Sequence, residues 1–476
     1  MVAICWAMTS ETYPAVPGAG DRRTVSYSFD GAGRVSSLNS NATTYAASAS
    51  VSGLSYAAHG ALSSATYGNG LINAVTFNNR LQVSEIKLGT SNNPTSKLDL
   101  SYDYGTTGNN GNLQSLSYSL NVGNFSQTLY TQAYSYDSLN RLATATETSS
   151  GGSTSWSQTN GYDRYGNRWV DLGGGNQSLY FTAATNQITG ASYDATGNLL
   201  NDGAHAYTYD AENKIRTVDG STAYVYDGEG QRVRKLVGEN TRFVYGISGQ
   251  LIMEFNGSNG SLTKEYVYGG GSMATIAPNG KGSLGVQYLT SDHLGTPRVV
   301  TKADGSVAAR HDYKPFGEEL FAGTGGRTTG MGFSASDGNR QKFTGYERDS
   351  ETGLDFAQAR YYSNTQARFT SADPLMASAS VGAPQSWNRY AYVGNSPLTT
   401  TDPSGMIASH ETSQQYYRQK ERGVYGDLES AHDASFDDMK TTTQLGREFL
   451  AFLYNLGQGM AAYQRAHAQN TLWLKS

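Results

Sequence analysis

The stretch Tyr207-Thr-Tyr209-Asp210-Ala-Glu-Asn213-Lys214, followed by Tyr224-Val-Tyr226-Asp227-Gly-Glu-Gly230-Gln-Arg232, decides how this chain is built. Two rings spaced two residues apart lie on one face of a β-strand. The aspartate that follows is a turn residue, because its carboxylate accepts nearby backbone N–H groups. Three positions on stands Asn or Gly, the residues that tolerate positive φ. A basic residue then opens the next segment. The reading is a β-hairpin: strand, Asp-led turn, left-handed residue, return strand.

The signature recurs at Phe29-Asp30, Tyr102-Asp103, Tyr136-Asp137, Tyr162-Asp163 and Tyr193-Asp194, which with Asp210 and Asp227 makes seven copies. Six of the seven carry Gly or Asn three residues after the Asp: Gly33, Asn140, Gly166, Gly197, Asn213 and Gly230. After the first copy the intervals run from 16 to 34 residues. The Asp103 copy departs from the pattern. Tyr104-Gly105 follows it, and its turn is expected to be rebuilt around Asn109-Asn110-Gly111-Asn112. Weaker copies without Asp follow at Tyr245-Gly246 and Tyr266-Val-Tyr268-Gly269. A single Tyr-Asp pair is an ordinary turn. Repetition of the same third residue makes it an architecture.

Composition agrees. Gly supplies 56 of 476 residues, about 12% against a usual ~7%, while Pro supplies only 10. Charged residues are 16%, and Tyr (34) outnumbers Phe (15) and Trp (5) together. Such a chain suits short strands and tight turns, and argues against both a helical bundle and charge-driven disorder. A net charge of −5 leaves no basic footprint, so no nucleic-acid binding by the repeat region is expected. The lone Cys5 excludes a disulfide framework and a cysteine zinc site, and His410-Glu411 lacks the second histidine of a zinc motif. No metal and no cofactor are expected. The apolar run 449–456 is far short of a transmembrane helix. Residues 1–8 are apolar but lack a positive flank, so the chain reads as a fragment whose true start lies elsewhere.

The repeats resemble the YD repeats of the RHS family, which includes bacterial polymorphic toxins, the C components of insecticidal ABC toxin complexes, and animal teneurins. The resemblance covers roughly residues 25–406. It implies an all-β fold in which YD-repeat hairpins spiral into a hollow shell, with a short α-helical C-terminal tail. The expected organisation is a poorly defined segment over 1–24, the repeat shell over 25–287, a closing core over 288–406, and a variable tail over 407–476.

The core carries the sharper motifs. Residues 288–320 contain Tyr288-Leu-Thr-Ser-Asp-His293-Leu-Gly-Thr-Pro-Arg298, then Asp304-Gly305, then Tyr313-Lys-Pro315-Phe-Gly317-Glu318. Asp304-Gly305 reads as a hairpin turn on its own terms. His293 is read as structural. Residues 343–406 then contain Tyr346-Glu347, Arg360-Tyr-Tyr362, Arg368-Phe369, Asp373-Pro374, Asn388-Arg389-Tyr390 and Asp402-Pro-Ser-Gly405-Met406. This order is similar to the RHS repeat-associated core domain, which in several bacterial members is an aspartyl protease that cuts its own chain. The resemblance implies that Asp373 and Asp402 are the acidic pair, that Arg360 is the accompanying arginine, and that Met406–Ile407 is the scissile bond. Paired carboxylates suit the reaction, because two close acids share a proton and can serve as base and acid.

After Met406 the texture changes. Phe449, Phe452, Leu456, Met460 and Tyr463 recur at helical spacing, which predicts a helix over about 443–468. His432-Asp433 and Asp437-Asp438 are read as a solvated helix start rather than a nuclease cluster. Three readings compete. The first is an exported or surface shell that encapsulates and releases its own tail as toxin-like cargo. Its partners would be an immunity protein and the subunits of a secretion or toxin complex. The second is a non-enzymatic adhesion module whose tyrosines bind glycans or a partner. The third is a truncated fragment of a larger RHS protein.

Overall fold

The structure, a computed structural model, describes residues 8–43, 46–120, 128–236, 239–246, 249–269, 272–276, 285–375, 378–379, 382 and 384–409. The chain divides into two units, Met1–Arg418 and Gln419–Ser476, and every described residue lies in the first. The predicted helix over 443–468 and the acidic residues at 433–438 lie outside the described residues.

Among the described residues the fold is all-β, with short 3₁₀ turns and no α-helix. Two large sheets dominate, one of 14 strands from Ser10–Thr12 to Asn176–Gln177 and one of 11 from Tyr207–Tyr209 to Val307–Arg310. In both, every strand pairs with its neighbours in sequence, all antiparallel where the register is defined. The first sheet starts at Ser10–Thr12, inside the segment 1–24, where Tyr13 is buried and donates its hydroxyl to Tyr266 O at 2.6 Å.

The hairpin turns follow the sequence motif atom by atom. At Asp137 the backbone N–H donates to Arg141 O at 2.9 Å, and Asn140 N–H returns to Asp137 O at 3.0 Å. Asn140 has φ 60°, as the left-handed position requires. Asp137 Oδ1 also accepts the N–H groups of Leu139 (2.9 Å) and Arg141 (3.0 Å). The pairing slips by one residue at Ser135/Tyr136, a bulge beside the turn that recurs at Ser28/Phe29, Thr208/Tyr209 and Val225/Tyr226. Asp30, Asp163, Asp194, Asp210 and Asp227 repeat this bonding to residues two and four further on.

Two further turns have the same bonding. Asn78 accepts from Arg80 (2.9 Å) and Gln82 (3.1 Å), with Leu81 at φ 65°. Asp292 accepts from Leu294 (2.9 Å) and Thr296 (3.0 Å), with Gly295 at φ 81°. Phe77-Asn78 replaces the acid by its amide, and Ser291-Asp292 lacks the ring, so neither matches an aromatic-Asp search.

A tyrosine at the end of a hairpin strand ties that hairpin to the previous one through its hydroxyl. Tyr56 donates to Val35 O (2.7 Å), Tyr162 to Leu142 O (2.7 Å), Tyr226 to Ile215 O (2.7 Å) and Tyr245 to Arg232 O (3.0 Å). In each case the acceptor lies five residues beyond the preceding turn aspartate. The basic residue one position earlier stacks on the same ring: Arg34 on Tyr56 at 4.7 Å, Arg141 on Tyr162 at 4.3 Å. One side chain thus satisfies a carbonyl and carries a cation on its face.

The first unit also coils over itself. Arg23 pairs with Glu265, Tyr288 lies by Ser50, Asn69 bonds Thr301, Arg310 bonds Lys97 O, and Arg141 bonds Gln385. The later member advances with the earlier one, at separations of 213 to 244 residues. One turn of the coil therefore takes a little over 200 residues, and the two large sheets lie in successive turns. A second series runs the other way: Lys214 to Gln358, Tyr224 to Glu351, Arg232 to Asp349, Arg340 to Glu254, Asn339 to Gln287. The segment 339–358 thus doubles back across the second sheet and leads into the small core that holds the candidate site.

Candidate functional site

A four-stranded sheet, Glu347–Arg348, Asp355–Ala357, Arg360–Ser363 and Arg368–Phe369, carries Arg360 at the start of its third strand. The hairpin Ala357 to Arg360 turns through Gln358 at φ 61° and aims the guanidinium inward. It lies flat over Phe369, 3.6 Å from the ring centre.

Arg360 brings the predicted residues together. Its Nη2 lies 3.2 Å from Asp402 Oδ2 and 3.4 Å from Asp373 Oδ2. Its Nη1 donates to Arg389 O at 3.0 Å, and its Nε donates to Gly405 O, one residue before the candidate scissile bond. The three charged side chains are almost fully buried, 3% exposed for Arg360, 4% for Asp402 and 9% for Asp373. Burial, partly offset by Arg360 and by two backbone N–H groups, holds the Asp402 carboxyl above the ordinary carboxylate value. Burial likewise lowers Arg360, against the pull of both aspartates.

The loop after Asp402 is a repeat turn with one change. Gly405 stands three residues on at φ 70°, and its N–H donates to Asp402 O at 3.2 Å, as in the YD turns. In those turns the aspartate oxygen serves residues two and four further on. Asp402 Oδ1 instead accepts Met406 N–H at 2.9 Å and Ile407 N–H at 3.0 Å. The carboxylate therefore holds both amides that flank Met406, the second being the nitrogen of the Met406–Ile407 peptide.

The loop is clamped around this arrangement. Thr401 and Ser409 exchange two backbone hydrogen bonds of 2.7 Å, closing the loop beyond the peptide. Ala359 N–H donates to Ser404 O at 3.0 Å, and Tyr346 donates its hydroxyl to Asp402 O. Gly405 leaves no room for a side chain, since a Cβ would run into Ala357 O.

Asp373 has neighbours that its motif did not reveal. Arg389 Nη2 lies 3.5 Å from Asp373 Oδ1, and Ser378 Oγ donates to Asp373 Oδ2 at 2.8 Å. Arg389 stood in the quoted Asn388-Arg389-Tyr390 motif without an assigned partner; nothing in the sequence pointed to Ser378. His293 lies against Tyr102, ring centres 4.6 Å apart, with Nε2 2.9 Å from Leu398 O, which fits a structural residue. The aspartates Asp30, Asp137, Asp163, Asp194, Asp210 and Asp227 all hold turns. Among the described residues no group of three or more His, Cys, Asp or Glu side chains is placed to hold a metal ion.

Comparison with known proteins agrees with this architecture. The tRNA3(Ser)-specific nuclease WapA of Bacillus spizizenii is 33% identical over 223 residues, 45% of this chain and 9% of that protein. Toxin protein Tse5 of Pseudomonas aeruginosa is 29% identical over 129 residues, 26% of this chain and 8% of that protein. The chain thus spans less than a tenth of the length of either relative. The solved structure of the Photorhabdus luminescens Tc holotoxin pore superposes with a TM-score of 0.56 at 18% identity, over 82% of this chain and 20% of that chain, a likeness of fold. The teneurin YD-shell family matches residues 75–398, about two thirds of the sequence, which takes in most of the repeats together with Arg360 and Asp373 and stops short of Asp402. On that match the chain belongs to the YD-shell family shared by RHS proteins and teneurins.

Proposed function

We propose that this chain is a self-cleaving YD shell, which hydrolyses its own Met406–Ile407 peptide and so frees the segment 407–476 as a toxin-like cargo. The observation that carries the reading is the contact of Asp402 Oδ1 with the Ile407 amide, made while Arg360 joins Asp402 to Asp373. Asp373 takes a proton from water as the water oxygen attacks the Met406 carbonyl carbon. The C–N bond breaks, and Asp402 gives a proton to the Ile407 nitrogen. The products are a carboxyl on Met406 and an amine on Ile407. The substrate is tethered in the site, so its effective concentration is high and each chain turns over once.

The relatives named as a nuclease and as a toxin support a toxic cargo at the end of such a shell. On this reading the protein is exported from its cell, within or beside the subunits of a larger toxin or secretion assembly, and its producer carries an immunity protein against the tail.

Intact mass spectrometry of the full chain tests the assignment. Wild type is expected as two fragments, 1–406 and 407–476, with Asp373→Asn and Asp402→Asn each whole. A wild type that stays at full mass, or an Asp402→Asn chain that still cuts, contradicts it.

A further inference from the structure

The two aspartates are not held alike. Asp373 has two hydrogen-bond donors and two guanidinium contacts, whereas Asp402 has three hydrogen-bond donors of which one is a guanidinium. Oδ1 takes Leu375 N–H at 2.8 Å and lies 3.5 Å from Arg389 Nη2; Oδ2 takes Ser378 Oγ at 2.8 Å and lies 3.4 Å from Arg360 Nη2. Arg389 also donates through Nη1 to Ser378 Oγ at 2.8 Å and through Nη2 to the carbonyls of Asp373 (3.1 Å) and Leu375. It is thus fixed at both ends of the turn that carries Asp373. Asp402 has a single guanidinium contact, Arg360, and otherwise backbone amides. The other groups facing Asp402 are Tyr346, Tyr392 and Asp373 itself, none of them cationic.

Hydrogen bonds of every kind favour an ionised carboxylate, so what separates the two acids is the number of cations beside each, two guanidiniums for Asp373 and one for Asp402. We infer that Arg389, acting with Ser378, is a positioning residue that holds Asp373 in place as the base of the pair, with Asp402 as the acid. This rests on the self-cleavage reading. It assigns the proposed roles by geometry: the carboxylate with two cations is the base, and the one in contact with the Ile407 amide is the acid. The consequence is read in the pH profile of cleavage. Loss of Arg389 takes one of two cations from the base, and the acidic limb of the cleavage profile is expected to move up.

The test is a time course of self-cleavage in the full chain, translated in vitro and shifted to a series of pH values. Arg389→Gln is expected to move the acidic limb up by about one pH unit, with about tenfold slower cleavage below it. Arg389→Lys is expected to restore part of the shift, and Ser378→Ala to move the limb less, in the same direction. Resistance to added protease reports folding. Should Arg389→Gln fail to fold, Ser378→Ala and Arg389→Lys decide. Folded variants that cut with the wild-type profile overturn the assignment of Arg389 while leaving self-cleavage intact. Loss of cleavage in wild type, or cleavage in Asp373→Asn, instead defeats the protease reading beneath it.

Discussion

Asp402 accepts the amide proton of Ile407 at 3.0 Å, where the aspartates of the YD turns reach no further than the fourth residue. The two kinds of turn share a left-handed third residue and a bond from its N–H back to the aspartate carbonyl. The candidate cleavage loop is thus a repeat turn in which the carboxylate keeps the fourth amide and takes the fifth in place of the second. What distinguishes it chemically is its setting: a buried arginine contacts its carboxylate and that of a second aspartate.

The fit of Gly405 gives the first prediction. A methyl group there meets Ala357 O, and the residue lies at φ 70°. Gly405→Ala is expected to displace the loop and slow self-cleavage by up to about a hundredfold, as small misplacements of reacting groups do. Gly353 has the same φ of 70° with open space around it. Gly353→Ala is expected to cost about 1–2 kcal/mol of stability and leave cleavage unchanged. The cleaved fraction against time, for both variants, checks this.

A second prediction concerns the tyrosine ties. Tyr162→Phe removes the 2.7 Å bond to Leu142 O but keeps the ring under Arg141. A loss of about 1 kcal/mol is expected, read as a lower denaturant midpoint. Tyr180 is 54% exposed, and Tyr180→Phe should leave the midpoint in place.

The join between successive turns of the coil rests partly on Arg23 and Glu265, paired at 2.8 Å with both side chains fully buried. Glu265→Gln leaves a cation without its partner in the interior. A loss of about 3–5 kcal/mol is expected. If the double change to two apolar residues recovers most of that loss, the cost belongs to the orphaned charge.

His311 sets a pH dependence. Its ring lies between Glu319 Oε1 (2.7 Å from Nδ1) and Asp337 Oδ2 (2.9 Å from Nε2), with Lys342 Nζ 3.3 Å from Nε2. Burial alone would depress it, but the two carboxylates outweigh burial and Lys342 and raise it above the ordinary histidine value. The folded state therefore binds the proton more tightly than the unfolded state. That stabilisation is complete below about pH 6.5 and is lost as pH rises through the raised value. Melting temperatures between about pH 6 and 9 should fall for wild type and stay flatter for His311→Gln.

Much of this fold was legible because the turn motif is local: Asp137, Asn140 and Arg141 act within five residues of one another. The same locality made Asp304-Gly305 readable as a hairpin, with Thr301 facing Val307 and Gly305 at φ 78°. The resemblance implied the coil, but its partners across turns were not legible, since no residue near Arg23 announces that it pairs with Glu265. The rebuilt turn after Asp103 was readable from Asn109 and Gly111, where Gly111 N–H donates to Asn109 Oδ1 at 3.0 Å. At the candidate site the resemblance named Arg360, Asp373 and Asp402, and the structure brings the three together. It did not assign Arg389 or Ser378 to Asp373, because that contact forms across a turn whose path only the folded chain defines.

The most direct test of the central claim is the chemistry of the cut ends. The full chain is allowed to mature in water enriched in heavy oxygen, and both products are sequenced by mass spectrometry. Hydrolysis at Met406–Ile407 gives a first fragment ending at Met406 with one heavy oxygen in its new carboxyl, and a second fragment beginning at Ile407 with a free amine. A chain that remains whole, or one cut at any other bond, would contradict it.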